Sequence, residues 1–238
     1  MQLDAGLNLL GQQYVKVGED TVALDIQEII SFNDMVGYDE FENPLTTIKI
    51  WNGLGYDSCY YLTLENAADW AETYGDPTYL AKAGKWIDGY EDVVACDFEK
   101  GTGFWIQTTT SSTIIFAGQV YSPTNATISL VAGLNLISNP FPVDWNVQNF
   151  YSPDMVGYDE FEDPLTTLQI WNGIGYESCY YLTPENASDW AETYGDPSYL
   201  AKAGKWIDGY EDVVSFSVAP GKAFWIITGA SATMLFTR

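Results

Sequence analysis

Acidic and aromatic side chains are combined in one stretch of this chain that occurs twice. Residues 83–94 read AGKWIDGYEDVV, and the same twelve letters return at residues 203–214. Calcium is bound by carboxylate and backbone oxygens in irregular loops. The grouping of Asp88, Glu91 and Asp92 therefore predicts a candidate calcium site, which Asp208, Glu211 and Asp212 would repeat. The spacing is not that of an EF-hand loop, and DG followed by YED also suits a solvated turn between strands.

The aromatic side chains of the same stretch predict a binding surface. Flat Trp and Tyr rings stack on sugar rings and anchor protein interfaces, and neighbouring acids can bond hydroxyl groups. Trp86 and Tyr90, with Trp206 and Tyr210 in the second copy, are expected to be exposed and to bind a glycan or a protein surface. The alternative is that most of the tryptophans fill small cores.

Catalysis has little support in the residue types. The chain contains no histidine, which removes the usual serine and cysteine triads and histidine metal sites. A glycosidase needs only two carboxylates, one with a raised pKa. Asp39, Glu40 and Glu42 are candidates beside the acids of the repeated stretch, but a chain with 33 acids forms such clusters by chance. We expect a protein that is not an enzyme and requires no cofactor, with calcium as the one candidate ion.

The composition limits the partners. The 238 residues carry 9 basic and 33 acidic side chains, a formal net charge of −24. Such a chain repels nucleic acid and anionic membranes, and it has no apolar run long enough to span a bilayer. The opening MQLDAGLNLL has no basic start and no apolar signal core. We therefore expect either a cytosolic protein or a mature form whose leader has been removed.

A long internal repeat organises the chain. Residues 35–94 match residues 155–214 at an offset of 120 with eight differences, and the flanking segments align more weakly. The repeat predicts a first lobe at 1–120, a linker at 121–127 and a second lobe at 128–238. Two copies are too few for a solenoid, so a tandem duplication is the preferred interpretation.

Within each copy the pattern is mostly that of strands. Short runs rich in Ile, Val, Thr, Tyr and Trp alternate with Gly, Asn and Pro. In the first copy we expect strands at 7–15, 21–30, 46–51, 58–63, 93–98, 103–108 and 113–117, with WNG at residues 51–53 marking a hairpin. The predicted fold is mainly β, with two tandem homologous β-sandwich or barrel-like lobes.

One short helix is expected in each lobe. It follows the capping residues Thr63 and Thr183, and its apolar face is formed by Ala67, Trp70, Ala71 and Tyr74. Three cysteines make neither a disulfide framework nor a zinc site. Cys96 is expected to be a buried, inert thiol because the second copy has Phe216 in its place, although a Cys59–Cys96 bridge would also fit the first lobe.

The ends of each copy carry short motifs of a known type. AGLNLIS at 132–138, followed by NPFP, and APGKAFWI at 219–226 resemble β-rich repeat modules of bacterial secreted and cell-surface proteins. Those modules open with a G-W-N-L-I-S type strand and close with P-G-K-G-Y-W-I. Here Leu7 and Leu134 stand where that family has Trp. The resemblance implies an extracellular or cell-surface, bacterial setting and a role without catalysis.

Three hypotheses of function follow. The first is a binding or adhesion protein that holds a glycan or a protein through the aromatic and acidic loops. The second is a self-assembling structural subunit of a fibre, filament or layer, which open edge strands at MQLDAGLNLL and TMLFTR would favour. The third is a carboxylate-dependent glycosidase.

Overall fold

The computed structural model describes residues 2–11, 14–15, 24–31, 35–94, 97–98, 101–116, 119–120 and 124–237. It is mainly β, as predicted. Contacts between Cα atoms divide the chain into two compact units, Met1–Val120 and Tyr121–Arg238, called unit 1 and unit 2 below. Residues 121–123 of the predicted linker lie outside the described residues, and residues 125–127 begin a strand of unit 2.

The elements of unit 1 are short. Its strands are β1 (Gln2–Leu3), β2 (Gly6–Gly11), β3 (Tyr14–Val15), β4 (Leu24–Asp25), β5 (Ile29–Ser31), β6 (Thr46–Trp51), β7 (Tyr56–Leu62), β8 (Lys85–Ile87), β9 (Asp97–Phe98), β10 (Gly103–Thr108), β11 (Ser112–Phe116) and β12 (Gln119–Val120). Its helices are α1 (Leu64–Thr73) and the 3-10 helices Ile26–Glu28 and Pro77–Lys82.

Unit 2 has a similar order of elements. Its strands are β13 (Asn125–Leu130), β14 (Gly133–Ser138), β15 (Trp145–Asn146), β16 (Phe150–Tyr151), β17 (Thr166–Trp171), β18 (Tyr176–Leu182), β19 (Lys205–Ile207), β20 (Ser217–Val218), β21 (Ala223–Thr228) and β22 (Ala232–Thr237). Its helices are α2 (Pro184–Tyr194), α3 (Ser198–Ala201) and the 3-10 helix Val147–Asn149. The expectation of one short helix per lobe was therefore too low.

Each unit is built on a five-stranded antiparallel sheet. The strand order is β2-β10-β6-β7-β8 in unit 1 and β14-β21-β17-β18-β19 in unit 2. Three-stranded sheets have the orders β1-β11-β5 and β13-β22-β16, and the pairs β3–β12, β4–β9 and β15–β20 complete the pairing. The described strands form no closed barrel, so the barrel alternative is wrong. Strand β22, which contains the start of TMLFTR, lies between two partners, whereas β2 has a described partner on one side only.

The main core of each unit takes side chains from both larger sheets. In unit 1 it joins Leu3 of β1 and Ile114 of β11 to Ile48, Phe104 and Ile106 of the five-stranded sheet. In unit 2 an aromatic cluster dominates, and the Trp145 and Phe150 ring centroids are 5.1 Å apart. Phe224 and Phe236 belong to the same cluster. Burial of apolar side chains between sheets is the main stabilising contribution in such a layered arrangement.

The hairpin predicted at WNG is confirmed. Strands β6 and β7 pair from Thr47 opposite Tyr60 to Trp51 opposite Tyr56. The side chain of Asn52 closes the connection, because its Oδ1 accepts from the backbone N–H of Leu54 at 3.0 Å and of Gly55 at 2.9 Å. The predicted strand at 93–98 is only partly described. Val93 forms an isolated bridge with Ile87, residues 95–96, including Cys96, lie outside the described residues, and β9 covers the end.

The capped helix is also confirmed. The hydroxyl of Thr63 accepts from the backbone N–H of Asn66 at 3.2 Å, the bond expected of an N-cap residue. Ala67 and Trp70 face the sheet and are buried with Leu62 and Ile87. Tyr74, expected on the same buried face, is instead half-exposed. It lies at the last turn, where its hydroxyl bonds a loop residue outside the helix.

Candidate functional site

Two loops of unit 1 share one backbone design. In the loop at residues 87–93, Asp88 Oδ1 accepts from the backbone N–H of Tyr90 at 2.8 Å and of Asp92 at 3.0 Å. In the loop at residues 38–44, Asp39 Oδ1 accepts from Phe41 at 2.9 Å and from Asn43 at 2.8 Å. An aspartate that bonds its own turn in this way fixes the loop. Each loop is therefore a preformed support for the aromatic residue at its tip.

The ends of both loops are closed by the same kind of contact. An isolated antiparallel bridge joins Tyr38 to Pro44, and another joins Ile87 to Val93. The glutamates in the two loops, Glu42 and Glu91, have φ values of 61° and 65°. A left-handed backbone is uncommon for residues other than glycine, and such strained positions are concentrated at functional sites.

The tips of these loops are exposed aromatic side chains. Phe41 is 75% exposed and Tyr90 is 89% exposed. Phe161 and Tyr210 occupy the same positions in unit 2 and are 76% and 90% exposed. Large apolar rings held in solvent on rigid loops are typical of interaction surfaces.

A pair of tyrosines joins the two loops into one surface. The Tyr74 hydroxyl donates to the carboxylate of Glu42, and the Tyr79 hydroxyl donates to that of Glu91. The centroids of the two tyrosine rings are 5.9 Å apart. We call the loops 38–44 and 87–93 together with these two tyrosines the double-loop face.

Unit 2 forms its own double-loop face from loops 158–164 and 207–213. Tyr194 donates to Glu162 at 2.6 Å, Tyr199 donates to Glu211, and their ring centroids are 5.9 Å apart. The loops of unit 1 carry six carboxylates: Asp39, Glu40, Glu42, Asp88, Glu91 and Asp92. Unit 2 has all six equivalents and adds Asp163, where unit 1 has Asn43.

Helix α1 positions the first loop through Asn66. The amide of Asn66 accepts from the backbone N–H of Tyr38 at 3.0 Å and donates to the Tyr38 carbonyl at 3.1 Å. The Thr63 hydroxyl donates to the same amide oxygen at 2.6 Å. The residue that caps the helix therefore also orients the side chain that holds the loop.

The expectation that Trp86 and Trp206 are exposed is wrong. Trp86 is 1% exposed and Trp206 is 0% exposed, and both belong to the main cores. They lie on β8 and β19, which pair with β7 and β18, so alternation along the strand turns the indole inward. Of the four predicted ligand-binding residues, only Tyr90 and Tyr210 are exposed.

A glutamine that was not predicted holds each buried tryptophan strand. Gln148 Nε2 donates to the carbonyls of Trp206 and Val214, both at 2.8 Å, and its Oε1 accepts from the Trp206 N–H at 3.1 Å. Gln27 makes the same three contacts to Trp86 and Val94 in unit 1. The glutamine side chain thus forms hydrogen bonds with backbone N–H and carbonyl groups next to the loop, as a neighbouring strand would otherwise do.

The structure gives no support to a calcium site in these loops. Among the described residues no group of three or more acidic, cysteine or histidine side chains is placed to hold a metal ion. The reason is that Asp88 turns its carboxylate onto backbone N–H groups and Glu91 turns away to Tyr79. The carboxylates of Asp88, Glu91 and Asp92 do not converge, nor do those of Asp208, Glu211 and Asp212.

One of the glycosidase candidates has a pKa shifted in the direction opposite to that of a general acid. Hydrogen bonds from the side chain and backbone of Asn43 lower the pKa of Asp39. A catalytic acid in a glycosidase needs a raised pKa. Asp39 is therefore suited to holding the loop in its ionised form.

The tyrosines of the face have raised pKa values. The hydrogen bond to Glu91 raises the pKa of Tyr79 to about 12, and the bond to Glu211 does the same for Tyr199. The bond to Glu42 also raises the pKa of Tyr74. A carboxylate acceptor favours the protonated phenol, since a tyrosinate would repel it.

We expect this linkage to appear in alkaline unfolding. The folded protein keeps the Tyr79 and Tyr199 protons above the ordinary pKa of 10.0, so their contribution to stability is complete below pH 10 and is lost as pH rises towards about 12. The double variant Tyr79→Phe/Tyr199→Phe should show a shallower loss of stability across that interval. Urea unfolding at several pH values measures the free energy of unfolding as a function of pH. An equal decrease with pH in the wild-type protein and the double variant would contradict the assignment.

An open cleft lies beside the first loop of each face. Its volume is about 710 Å³ in unit 1 and about 870 Å³ in unit 2. Asp39 and Glu40 line it together with Glu65 and Asp69 of α1. The acidic character of the double-loop face therefore continues into the cleft.

Sequence reasoning missed that the two acidic stretches are one motif. Asp-Glu-Phe-Glu-Asn at 39–43 and Asp-Gly-Tyr-Glu-Asp at 88–92 share an aspartate, an aromatic residue two positions later and a glutamate three positions later. That spacing was visible in the sequence. The contribution of Tyr74 and Tyr79 was not, because it depends on how α1 and the following 3-10 helix pack.

Comparison with protein-family models, with curated proteins and with solved structures finds no match to this chain. In the part of the chain that the structure describes, no helix combines the length and the apolar character needed to cross a bilayer.

Proposed function

We propose that this protein is a binding or adhesion protein without catalytic activity, located outside the cell or at a cell surface. Each unit would hold a ligand on its double-loop face. We also take the two units to be homologous lobes of sandwich type that arose by tandem duplication, an interpretation supported by the matching strand orders of the two five-stranded sheets.

The exposure of the loop tips is the observation that carries this proposal. Phe41, Tyr90, Phe161 and Tyr210 are large rings in solvent, on loops fixed by aspartate turns and tied to a tyrosine pair. Because the loops are already ordered, they would lose little conformational entropy when a ligand binds. With Trp86 and Trp206 buried, these loops expose no indole and offer a sugar only smaller single rings, so we favour a protein surface over a glycan.

A paired array experiment tests the proposal. Fluorescently labelled protein is applied to a glycan array and to a peptide array, beside a face variant in which Phe41, Tyr90, Phe161 and Tyr210 are all replaced by serine. We expect the wild-type protein to bind a set of probes that the face variant does not bind. Circular dichroism of the variant checks its fold. No signal on either array, or a signal that the face variant keeps in full, would count against the proposal.

A self-assembling structural subunit is the second candidate. Strands β2 and β14 each have a described partner on one side only, and they carry the exposed side chains of Leu7 and Leu134. An open edge strand can pair with another chain. Size-exclusion chromatography with light scattering decides, because a strictly monomeric protein over a wide range of concentration would exclude assembly through these edges.

A further inference from the structure

The double-loop face combines exposed rings with an excess of negative charge. Six carboxylates lie in the two loops of unit 1 and seven in those of unit 2. The basic side chain that the structure places against the face is Lys82 in unit 1, with Lys202 as its equivalent. A partner with complementary charge must therefore be cationic.

The lysine of each unit shows how the face receives a cation. The Lys82 ammonium lies 5.1 Å from the centroid of the Tyr79 ring and donates to the backbone carbonyl of Glu91 at 2.6 Å. Lys202 lies 4.9 Å from the centroid of the Tyr199 ring. An ammonium over a tyrosine ring is a cation–π contact, so one cation of the chain itself already uses an aromatic ring of this surface.

We propose that each double-loop face binds an arginine-bearing segment of a partner protein. This inference rests on the proposed binding function and names the chemistry of its ligand. The guanidinium group is planar, stacks on aromatic faces and forms paired hydrogen bonds with carboxylates. Phe41 and Tyr90 supply the ring faces, and Glu40 and Asp92 are exposed carboxylates in the same loops.

The two faces of one chain differ by a charge. In unit 1 the Asn43 amide donates to both oxygens of the Asp39 carboxylate, to Oδ2 at 3.0 Å and to Oδ1 at 3.2 Å. In unit 2 Asp163 replaces that amide, so Asp159 loses a donor and the loop gains a negative charge. The unit 2 face therefore binds the cationic segment more tightly than the unit 1 face.

Isothermal titration calorimetry at physiological salt tests the inference with a short peptide of alternating arginine and glycine. We expect two peptides to bind per chain, and the matched lysine peptide to bind more weakly. Replacing Phe41 and Tyr90 by alanine should remove one of the two sites or weaken it about tenfold, an effect typical of losing two cation–π contacts. The same substitutions at Phe161 and Tyr210 should act on the other site.

A charge-matched control separates this surface from general attraction to an acidic protein. Leu54→Ala and Ile174→Ala remove almost fully exposed side chains from hairpin tips outside the face and leave the net charge unchanged. That control should bind like wild type. The inference is overturned if the alanine variants of the face bind like the control, if the lysine peptide binds as tightly as the arginine peptide, or if neither peptide binds. A positive array result lost in the face variant, together with any of these outcomes, would leave the proposed binding function standing without its arginine ligand.

Discussion

Replacing Trp206 by alanine is expected to destabilise unit 2 by about 3–5 kcal/mol, the usual cost of removing a large aromatic side chain from a packed core. The Trp206 ring is stacked on Phe150 with centroids 5.3 Å apart and lies 5.4 Å from the Tyr181 ring. Its indole N–H donates to the Phe150 carbonyl at 3.2 Å. The substitution would therefore leave a cavity and remove the hydrogen bond to the Phe150 carbonyl.

The neighbouring Tyr210 supplies the control. It lies four residues further along the chain, but its side chain is in solvent, so Tyr210→Ala should change stability by no more than about 0.5 kcal/mol. Urea unfolding gives the free energies. Hydrogen exchange assigns the loss to unit 2 if the peptides followed include Glu177, which differs in mass from Asp57 of unit 1. Equal small effects at the two positions would show that Trp206 is not a core residue.

The same pair of residues shows where sequence reasoning was sufficient and where it was not. Exposure of Tyr90 and Tyr210 followed from their place in an acidic, glycine-containing turn. Burial of Trp86 and Trp206 could not be predicted in this way. Strands β8 and β19 are three residues long, and the side of each strand that faces the core is decided only by pairing with distant strands. A strand this short has too little alternation of its own to predict which side faces the core.

The sequence was sufficient to predict the elements that depend on contacts between neighbouring residues. The WNG hairpin and the Thr63 cap each depend on side chains that bond their own backbone within three residues. The double-loop face depends on contacts between residues far apart in sequence, such as Tyr74 with Glu42. Each loop could be found from the sequence, but their meeting on one surface required the tertiary structure.

The second large effect is expected at Gly157, which lies under Asn186 in the first turn of α2. A Cβ at this position would lie 2.2 Å from Asn186 Oδ1, 2.9 Å from Thr183 Cγ2 and 3.0 Å from the Tyr181 carbonyl oxygen. All three distances are shorter than ordinary contacts, so the asparagine must move. Gly157→Ala should therefore cost about 2–4 kcal/mol, from overpacking and from the hydrogen bonds that the displaced amide gives up.

The displaced amide connects stability to the binding surface. Asn186 accepts from the Tyr158 N–H at 3.0 Å and donates to the Tyr158 carbonyl at 3.2 Å, and Tyr158 begins the loop that carries Phe161. Gly157→Ala should consequently release this loop and speed hydrogen exchange there, as well as lower the free energy of unfolding. Gly209→Ala is the matched control, since a Cβ at Gly209 meets nothing within 4 Å.

A double-mutant cycle identifies the clash with Asn186 as the cause. If the methyl group that Gly157→Ala introduces is harmful because it meets the amide, removing the amide with Asn186→Ala makes room for it. The double variant should then be less destabilised than the sum of the two single variants, by about 0.5–3 kcal/mol. Strict additivity would show that the clash is instead with Thr183 Cγ2 or the Tyr181 carbonyl, and the loop would then keep its anchor in Gly157→Ala.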